Sequence, residues 1–307
     1  MEYILRTVGV SKKYRSNWVL RRVNMNIQRG DIYGFVGENG SGKTTIIRLI
    51  TGLISADEGH IELFGVSSES AEIISVRKKL GAIVESPSIY KNMSASENLK
   101  MQSTILGFDD DEKIKHVLSE VGLGEVYDDK KKVGNFSLGM RQRLGIAMAL
   151  LGDPEFIILD EPMNGLDPAG IVEIRELILK LNREKHITFL ISSHILTELS
   201  LVANKYGIIS HGCLIKEITA EELEKACRPT TVIVAKNSQA LYDLLSSYIS
   251  SEDLHQIRNG VRIVGVINLN DLLKKIVSAE IEILSINCNQ TNIENYYISL
   301  LGGARNA

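Results

Sequence analysis

The sequence lacks the features that would tie it to a membrane or to an oxidising compartment. Its longest apolar stretch, around residues 146–151, is far shorter than the ~18 residues that a membrane-spanning helix needs. The N-terminus has no apolar core followed by a small-residue cleavage site, so we expect a chain that neither crosses a membrane nor is exported. The cysteines, Cys213, Cys227 and Cys288, are too far apart for a zinc or redox motif, and their odd number suits the cytoplasm.

A basic surplus is also missing. The formal net charge is −3, with 27 basic and 28 acidic residues up to residue 219 and 8 and 10 beyond it. Because non-specific binding to nucleic acid needs clustered basic side chains, this balance argues against a nucleic-acid partner. With only 5 prolines there is no proline-rich linker. Hydrophobic residues make up 44% of the 307, enough for a sizeable core and, by length, for two domains.

Short β-branched runs alternate with glycines in the first eighty residues. This pattern predicts strands at residues 6–10, 23–27, 32–36 and 61–65. Between the third and fourth of them, residues 44–53 place isoleucine and leucine at helical spacing, so a strand, a loop and a helix follow one another. We therefore expect a parallel α/β sheet to hold these strands.

Helical patterns replace the strands over about residues 86–152. Three helices are predicted there, one that opens at 94–97 with capping-box spacing at Ser94, one at 111–121 and one at 138–151. Strand character returns at 156–159 and 187–192, with a crossover helix between them at 169–182. Past residue 218 a second α/β run has strand candidates at 230–234, 261–266 and 281–286. The sequence thus predicts two domains, 1–218 with its helical subdomain at about 86–152, and a smaller α/β domain at 219–307.

A phosphate-binding loop is the strongest chemical signal. Residues 37–44 fit G-x-x-x-x-G-K-[ST] directly after a predicted strand and at the start of a helix, a setting that makes an ordinary glycine-rich turn the weaker interpretation. Backbone N–H groups and the helix N-terminus would face the phosphates, Lys43 would reach the outer ones, and the Thr44 hydroxyl would ligate Mg²⁺. The candidate binding residues are Gly37, Asn39, Gly40, Ser41, Gly42, Lys43, Thr44 and Thr45.

Two acids and a histidine follow later strands. Asp160 stands at the end of a predicted strand, where a phosphate loop needs its second metal anchor. Glu161 next to it can point elsewhere, at the water that attacks the terminal phosphate, because side chains alternate along a strand. His194 ends the next strand and could donate a hydrogen bond to charge developing on that phosphate. The plainer interpretations are solvated turn acids and a structural histidine.

A second candidate anion site lies at residues 136–143. Ser137 stands where a helix begins, and Gly139 allows the backbone to approach a ligand closely. Taken alone this signal is weak, because N-cap serines are common.

Together these motifs resemble those of a known family. Five of them stand in the order found in the ATP-binding subunits of ABC transporters. They are the phosphate loop at 37–44, a signature-like segment at 136–140, the strand that ends in Asp160 and Glu161, a D-loop-like segment at 165–168, and His194. The resemblance covers about the first 215 residues. It implies a RecA-like P-loop NTPase core with an inserted helical subdomain that hydrolyses ATP with Mg²⁺.

The resemblance also implies partners. Subunits of this family form head-to-tail dimers that sandwich two ATP molecules, here a homodimer, and they drive separate integral membrane permease subunits. Ser137 and Gly139 would then contact the γ-phosphate bound in the opposite subunit, and Asp167 would shape the dimer seam. We expect the chain to lie in the cytoplasm, at the inner face of the cell membrane, through its permease.

Tyr14 resembles the aromatic residue that stacks on adenine upstream of the phosphate loop in this family. A flat aromatic face suits such stacking. A buried core tyrosine is the alternative interpretation, and nearby Trp18 is a competing stacking residue.

Two positions depart from the family pattern. Glu85 replaces the usual glutamine in the loop that joins the core to the helical subdomain, and Leu138 and Met140 replace a glycine and a glutamine of the signature. With glutamate at position 85, its overall length and its C-terminal extension, the chain resembles the bacitracin and lantibiotic self-protection branch of the family. Its carboxylate could ligate Mg²⁺, with an exposed loop acid as the alternative. The replaced signature residues could alter the strength of ATP-driven closure.

The sequence therefore predicts an ATPase subunit that powers export by a separate permease, with peptide antibiotics or lantibiotics as the implied substrates. The competing hypothesis is a mechanical ABC ATPase that acts on ribosomes or DNA. Such proteins usually carry two ATPase units or long coiled-coil insertions, and this chain has neither. A P-loop kinase or GTPase would leave Ser137, Asp167 and His194 unexplained.

Overall fold

The computed structural model describes residues 2–289 and 293–304. The chain forms two compact units, Met1–Ala220 and Glu221–Ala307. The strands of the first unit are β1 Tyr3–Tyr14, β2 Asn17–Gln28, β3 Ile32–Val36, β4 Glu58–Leu63, β5 Val66–Ser67, β6 Leu80–Ile83, β7 Phe156–Asp160, β8 Thr188–Ser193, β9 Lys205–Ser210 and β10 Cys213–Thr219. Its helices are α1 Lys43–Thr51, α2 Ile73–Val76, α3 Ala95–Leu106, α4 Asp111–Glu120, α5 Leu138–Leu150, α6 Pro168–Lys185 and α7 Leu196–Leu199.

The central sheet of this unit has the strand order β10-β9-β3-β8-β7-β6. Its inner strands pair in parallel, and β10 pairs antiparallel with β9 at one edge. Every residue of β3, β7 and β8 is buried, which is typical of parallel strands that are covered on both faces. Because β3, β8 and β7 are neighbours, the segments that follow their carboxyl ends meet at one edge of the sheet, where α/β proteins bind ligands.

One prediction about the sheet was wrong. Of the first four predicted strands only β3 joins the parallel sheet, whereas β1, β2 and β4 form a separate antiparallel sheet with β5, in the order β2-β1-β4-β5. The physical reason lies in the connection between β1 and β2. Tyr14 pairs with Asn17 across a two-residue turn, and Arg15 takes a φ of 57° there. A turn of this length joins antiparallel strands only, since a parallel pair needs a long crossover.

The inserted helices begin at side-chain caps, and those at Ser94 and Ser137 lie where the sequence predicts a helix start. The hydroxyl of Ser94 accepts a hydrogen bond from the Glu97 N–H, and the Glu97 carboxylate accepts one from the Ser94 N–H, which completes a capping box at α3. Asp110 caps α4 and Ser137 caps α5. The crossover helix α6 connects β7 to β8 and carries Pro168 at its first turn.

The second unit is a small α/β body with its own core. Its elements are α8 Ala220–Ala226, β11 Thr230–Ala235, α9 Ser238–Ser246, β12 Leu254–Ile257, β13 Gly260–Val264, α10 Leu269–Ser278, β14 Ile283–Asn289 and α11 Ile293–Ala304. The strands form an antiparallel sheet in the order β12-β13-β11-β14. Its buried side chains include Ile233, Leu241 and Ile276. The three strands predicted here are present, and β12 was missed because its four residues carry no alternation.

Over the part of the chain that the structure describes, none of the helices combines the length and apolar character that a membrane crossing needs.

Candidate active site

The phosphate-binding loop lies between β3 and α1, as predicted. Gly42 is the N-cap of α1 and has a φ of 111°, a backbone conformation that side-chain-bearing residues rarely adopt. At Gly37 a Cβ atom would lie 2.5 Å from both the Ile209 carbonyl oxygen and Ser41 Oγ. The Ser41 Oγ atom is itself buried and has no hydrogen-bond partner among the described residues. The loop is therefore a cradle that depends on glycine, and the Ser41 hydroxyl within it is not satisfied by a protein hydrogen bond.

Lys43 is the first residue of α1 and is only 6% exposed. Its Nζ atom donates to the Gly37 carbonyl at 2.7 Å and to the Glu38 carbonyl at 3.3 Å. The same ammonium lies 3.3 Å from Glu161 Oε1. The positive charge is thus held inside the loop, next to the N-terminus of a helix, where anions bind favourably.

Asp160 ends β7 and is 2% exposed. The Thr44 hydroxyl donates to its Oδ2 atom at 2.9 Å, and the Ser192 hydroxyl donates to its Oδ1 atom at 2.5 Å. The structure therefore brings together the two predicted metal ligands Thr44 and Asp160. Ser192 was missed by the sequence analysis, although it stands in the same short segment as His194.

Glu161 lies between Lys43 and His194. Its backbone is in the left-handed region, with a φ of 53°. Its Oε2 atom is 2.9 Å from His194 Nδ1. An ionised carboxylate only accepts hydrogen bonds, so Nδ1 carries the proton in this contact. Both carboxylate oxygens of Glu161 are thus oriented by neighbouring cations or donors.

Tyr14 is 45% exposed at the end of β1, which excludes the buried-core alternative. Trp18 is 36% exposed nearby, so both candidate stacking residues are accessible. The Lys12 Nζ atom lies 5.8 Å from the centre of the Tyr14 ring.

Asp57 anchors the end of β1, because its Oδ2 atom accepts a hydrogen bond from the Lys13 N–H at 2.8 Å. That bond, followed by the contact with Lys12, lowers the pKa of Asp57.

The signature-like and D-loop-like segments lie together at the starts of α5 and α6. Ser137 is exposed, and its hydroxyl accepts a hydrogen bond from the Met140 N–H at 3.1 Å. Asp167 is also exposed and accepts one from the Gly170 N–H at 3.0 Å. A Cβ atom at Gly165 would lie 3.3 Å from Leu138 Cδ2. Leu138, which replaces a glycine of the family pattern, therefore packs against the D-loop-like segment of its own chain.

Glu85 lies outside the cluster of Lys43, Asp160 and Glu161. Its side chain is 60% exposed and forms an ion pair with Arg48 of α1. This exposure matches the alternative interpretation of Glu85 as an exposed loop acid. The metal-ligand role of Glu85 stays a prediction.

Comparison with known proteins gives the family. The bacitracin transport ATP-binding protein BcrA of Bacillus licheniformis is 40% identical over 307 residues, which cover 99% of this chain and 99% of that protein. The chain belongs to the ATP-binding proteins of ABC transporters. The ABC transporter family profile matches residues 20–164. The family predicted from the five motifs is therefore confirmed, and the chain is an ATPase subunit.

Two further similarities each cover about seven-tenths of this ABC protein. The lantibiotic transport ATP-binding protein SrtF of Streptococcus pyogenes is 44% identical over 214 residues, 70% of this chain and 90% of that protein. The structure of cbiO1 from Clostridium perfringens, part of an ABC transporter complex, matches with a TM-score of 0.66 and 26% identity. That match covers 73% of this chain and 91% of cbiO1. The predicted fold class is confirmed by this likeness.

Proposed function

We propose that this ATPase subunit powers the export of a peptide antibiotic, of the bacitracin or lantibiotic kind, through a separate membrane permease, and so protects the cell. The observation that carries the proposal is the similarity to a bacitracin transport protein over both units, 99% of each chain. The unit Met1–Ala220 would be the ATP-binding domain and Glu221–Ala307 an accessory domain.

The site fits MgATP. No group of three or more His, Cys, Asp or Glu side chains within residues 2–289 and 293–304 could hold a metal ion. Mg²⁺ usually takes one or two protein oxygens together with substrate phosphates, and Thr44 with Asp160 offers such a pair. The cradle at Gly37 and the buried Ser41 hydroxyl fit the phosphate oxygens. When bound, Mg²⁺ would neutralise charge on the β- and γ-phosphates.

The residues around Glu161 have proposed roles in hydrolysis. Glu161 would take the proton of the attacking water, because its carboxylate is oriented by contacts on both oxygens. Lys43 would stabilise charge on the transferred phosphoryl group. His194 would hold the Glu161 carboxylate through Nδ1–H, and in the imidazolium form, where both ring nitrogens carry a proton, it would also donate from Nε2 to a phosphate oxygen.

A head-to-tail homodimer would complete each site. Ser137 and Gly139 lie at the start of α5, where backbone N–H groups of a helix N-terminus can face a γ-phosphate of the opposite subunit. Asp167, exposed at the start of α6, would lie at the dimer seam. Ser137 is the N-cap of α5 and Asp167 is the N-cap of α6. These caps fix the first turns of the two helices, which supports the proposal.

Tyr14 gives a prediction about ATP affinity. Replacing Tyr14 with alanine should raise the KM for ATP about tenfold and leave kcat nearly unchanged, because base–aromatic stacking contributes about 1–3 kcal/mol. Steady-state ATPase kinetics measure both constants. Tyr14→Phe keeps the ring and should stay within about twofold of the wild type. If Trp18→Ala raises the KM and Tyr14→Ala does not, Trp18 is the stacking residue.

The proposed partners are integral membrane permease subunits, which would place the chain in the cytoplasm at the inner face of the cell membrane. The mechanical ATPase that acts on ribosomes or DNA remains the alternative. The names of the relatives support transport over that alternative. Neither the net charge of −3 nor its distribution supports a nucleic-acid partner.

Co-purification from host membranes tests this function. Tagged Glu161→Gln protein with MgATP should retain a stoichiometric polytopic membrane protein from detergent extracts, and Lys43→Met should serve as the matched control that cannot close on ATP. Co-expression of that membrane protein with the wild-type chain should then raise the resistance of a susceptible strain to bacitracin or a lantibiotic. Ribosomal or DNA-associated partners without a membrane protein would instead support the mechanical ATPase.

A further inference from the structure

We infer that Ser192 is a positioning residue for both acids of the site: its hydroxyl orients the Asp160 carboxylate toward Mg²⁺ and fixes the backbone of Glu161. This inference rests on the proposed roles of Asp160 and Glu161 in ATP hydrolysis.

One hydroxyl group contacts both acids. Ser192 Oγ donates to Asp160 Oδ1 at 2.5 Å and accepts a hydrogen bond from the Glu161 N–H at 2.9 Å. Ser192 has no exposed surface, and Asp160 is 2% exposed. Hydrogen bonds between a hydroxyl and an ionised carboxylate are short and stronger than neutral ones, and burial keeps water from replacing them.

The contact with Asp160 fixes the plane of its carboxylate. Thr44 Oγ1 holds the Oδ2 atom at 2.9 Å, while Ser192 holds the Oδ1 atom from β8, the neighbouring strand. With a donor on each oxygen, the carboxylate has little freedom to rotate. Groups that orient metal ligands in this way typically contribute about 10- to 100-fold to metal affinity or activity.

The contact with Glu161 stabilises an unusual backbone conformation. A φ of 53° is costly for a residue other than glycine, by about 1–3 kcal/mol, and persists where surrounding bonds hold it. The Glu161 N–H bonds to Ser192 twice, to the hydroxyl at 2.9 Å and to the carbonyl oxygen at 3.2 Å. This backbone directs the Glu161 side chain to Lys43 and His194.

The neighbouring Ser193 provides a comparison, because its hydroxyl binds the backbone and neither of the two acids. Ser193 is also buried, yet its hydroxyl accepts a hydrogen bond from the Ile195 N–H at 3.0 Å. The preceding residues of β8 from Phe189 to Ile191 are buried and apolar. Valine would therefore suit the strand at position 192, but it would leave the Asp160 Oδ1 atom without its donor.

The test compares Ser192→Thr with Ser192→Val, which have the same shape and differ in the hydroxyl group alone. We expect the valine variant to lose about tenfold in kcat and the threonine variant to stay within about threefold of the wild type. Calorimetric titration of Mg²⁺ into protein with a non-hydrolysable ATP analogue gives a second readout. The valine variant should bind Mg²⁺ about tenfold more weakly, and the threonine variant should bind it as the wild type does.

Ser193→Ala is the matched control, and it should leave both readouts within about twofold of the wild type. Thermal unfolding shows whether the two β-branched variants fold. If neither does, Ser192→Ala is compared with the wild type, and we expect it to lose about tenfold in kcat and in Mg²⁺ affinity, as expected for Ser192→Val. Equal kcat and equal Mg²⁺ affinity in the compared proteins would overturn the inference. A wild-type protein that does not hydrolyse ATP would instead contradict the assigned activity, so the two failures are distinct.

Discussion

Glu161→Gln should lower the turnover of ATP by at least about 100-fold and leave ATP binding intact, because general-base catalysis typically contributes 10²–10⁴-fold. The amide has the same shape as the carboxylate and can still accept a hydrogen bond at one oxygen, from either Lys43 or His194. It cannot take a proton from water. The proposed contacts of Lys43 and the loop backbone with the nucleotide would remain, so the variant should bind ATP and stay in the closed dimer.

Three measurements check this expectation. Phosphate release gives the turnover, a fluorescent ATP analogue gives the affinity, and size-exclusion chromatography with MgATP gives the dimer fraction. Glu176→Gln is the matched control, since Glu176 is an exposed residue of α6 with the same chemistry. Turnover by Glu161→Gln within about threefold of the wild type would remove Glu161 from the role of general base.

The core of the site could be predicted because it depends on local sequence and on strand order. The phosphate loop is one contiguous motif, Asp160 ends one buried strand, and His194 directly follows another. A strand, a crossover helix and a second strand place the two ends side by side in a parallel sheet. The sequence pattern therefore specifies Thr44, Asp160, Glu161 and His194 before any contact is known.

Contacts between distant side chains could not be predicted in this way. Ser192 belongs to none of the motifs, and only the strand register that pairs it with Asp160 brings its hydroxyl to the site. The ion pair between Glu85 and Arg48 depends on where the loop after β6 meets α1. Local alternation likewise identified β1, β2 and β4 as strands without telling which sheet they join, because pairing is decided by connections and not by propensity.

Lys43→Met, unlike Glu161→Gln, should weaken the binding of ATP. Methionine keeps much of the buried apolar stem but removes the ammonium that donates to the Gly37 and Glu38 carbonyls and lies 3.3 Å from Glu161. Without that charge the loop loses its main partner for the outer phosphates, so ATP affinity should fall at least about tenfold. Turnover should fall about 10²–10³-fold, because the same charge would also stabilise the transition state.

The two variants together separate phosphate binding from proton transfer. Lys43→Met should remain monomeric in MgATP and bind the fluorescent analogue weakly, whereas Glu161→Gln should bind it and dimerise. Lys180→Met, an exposed lysine of α6, controls for the loss of a positive charge and should match the wild type in every assay. Wild-type ATP affinity in Lys43→Met would mean that the backbone N–H groups of the glycine cradle suffice to hold the phosphates. In that case Lys43 would act on the transition state alone, and its loss would appear in kcat but not in binding.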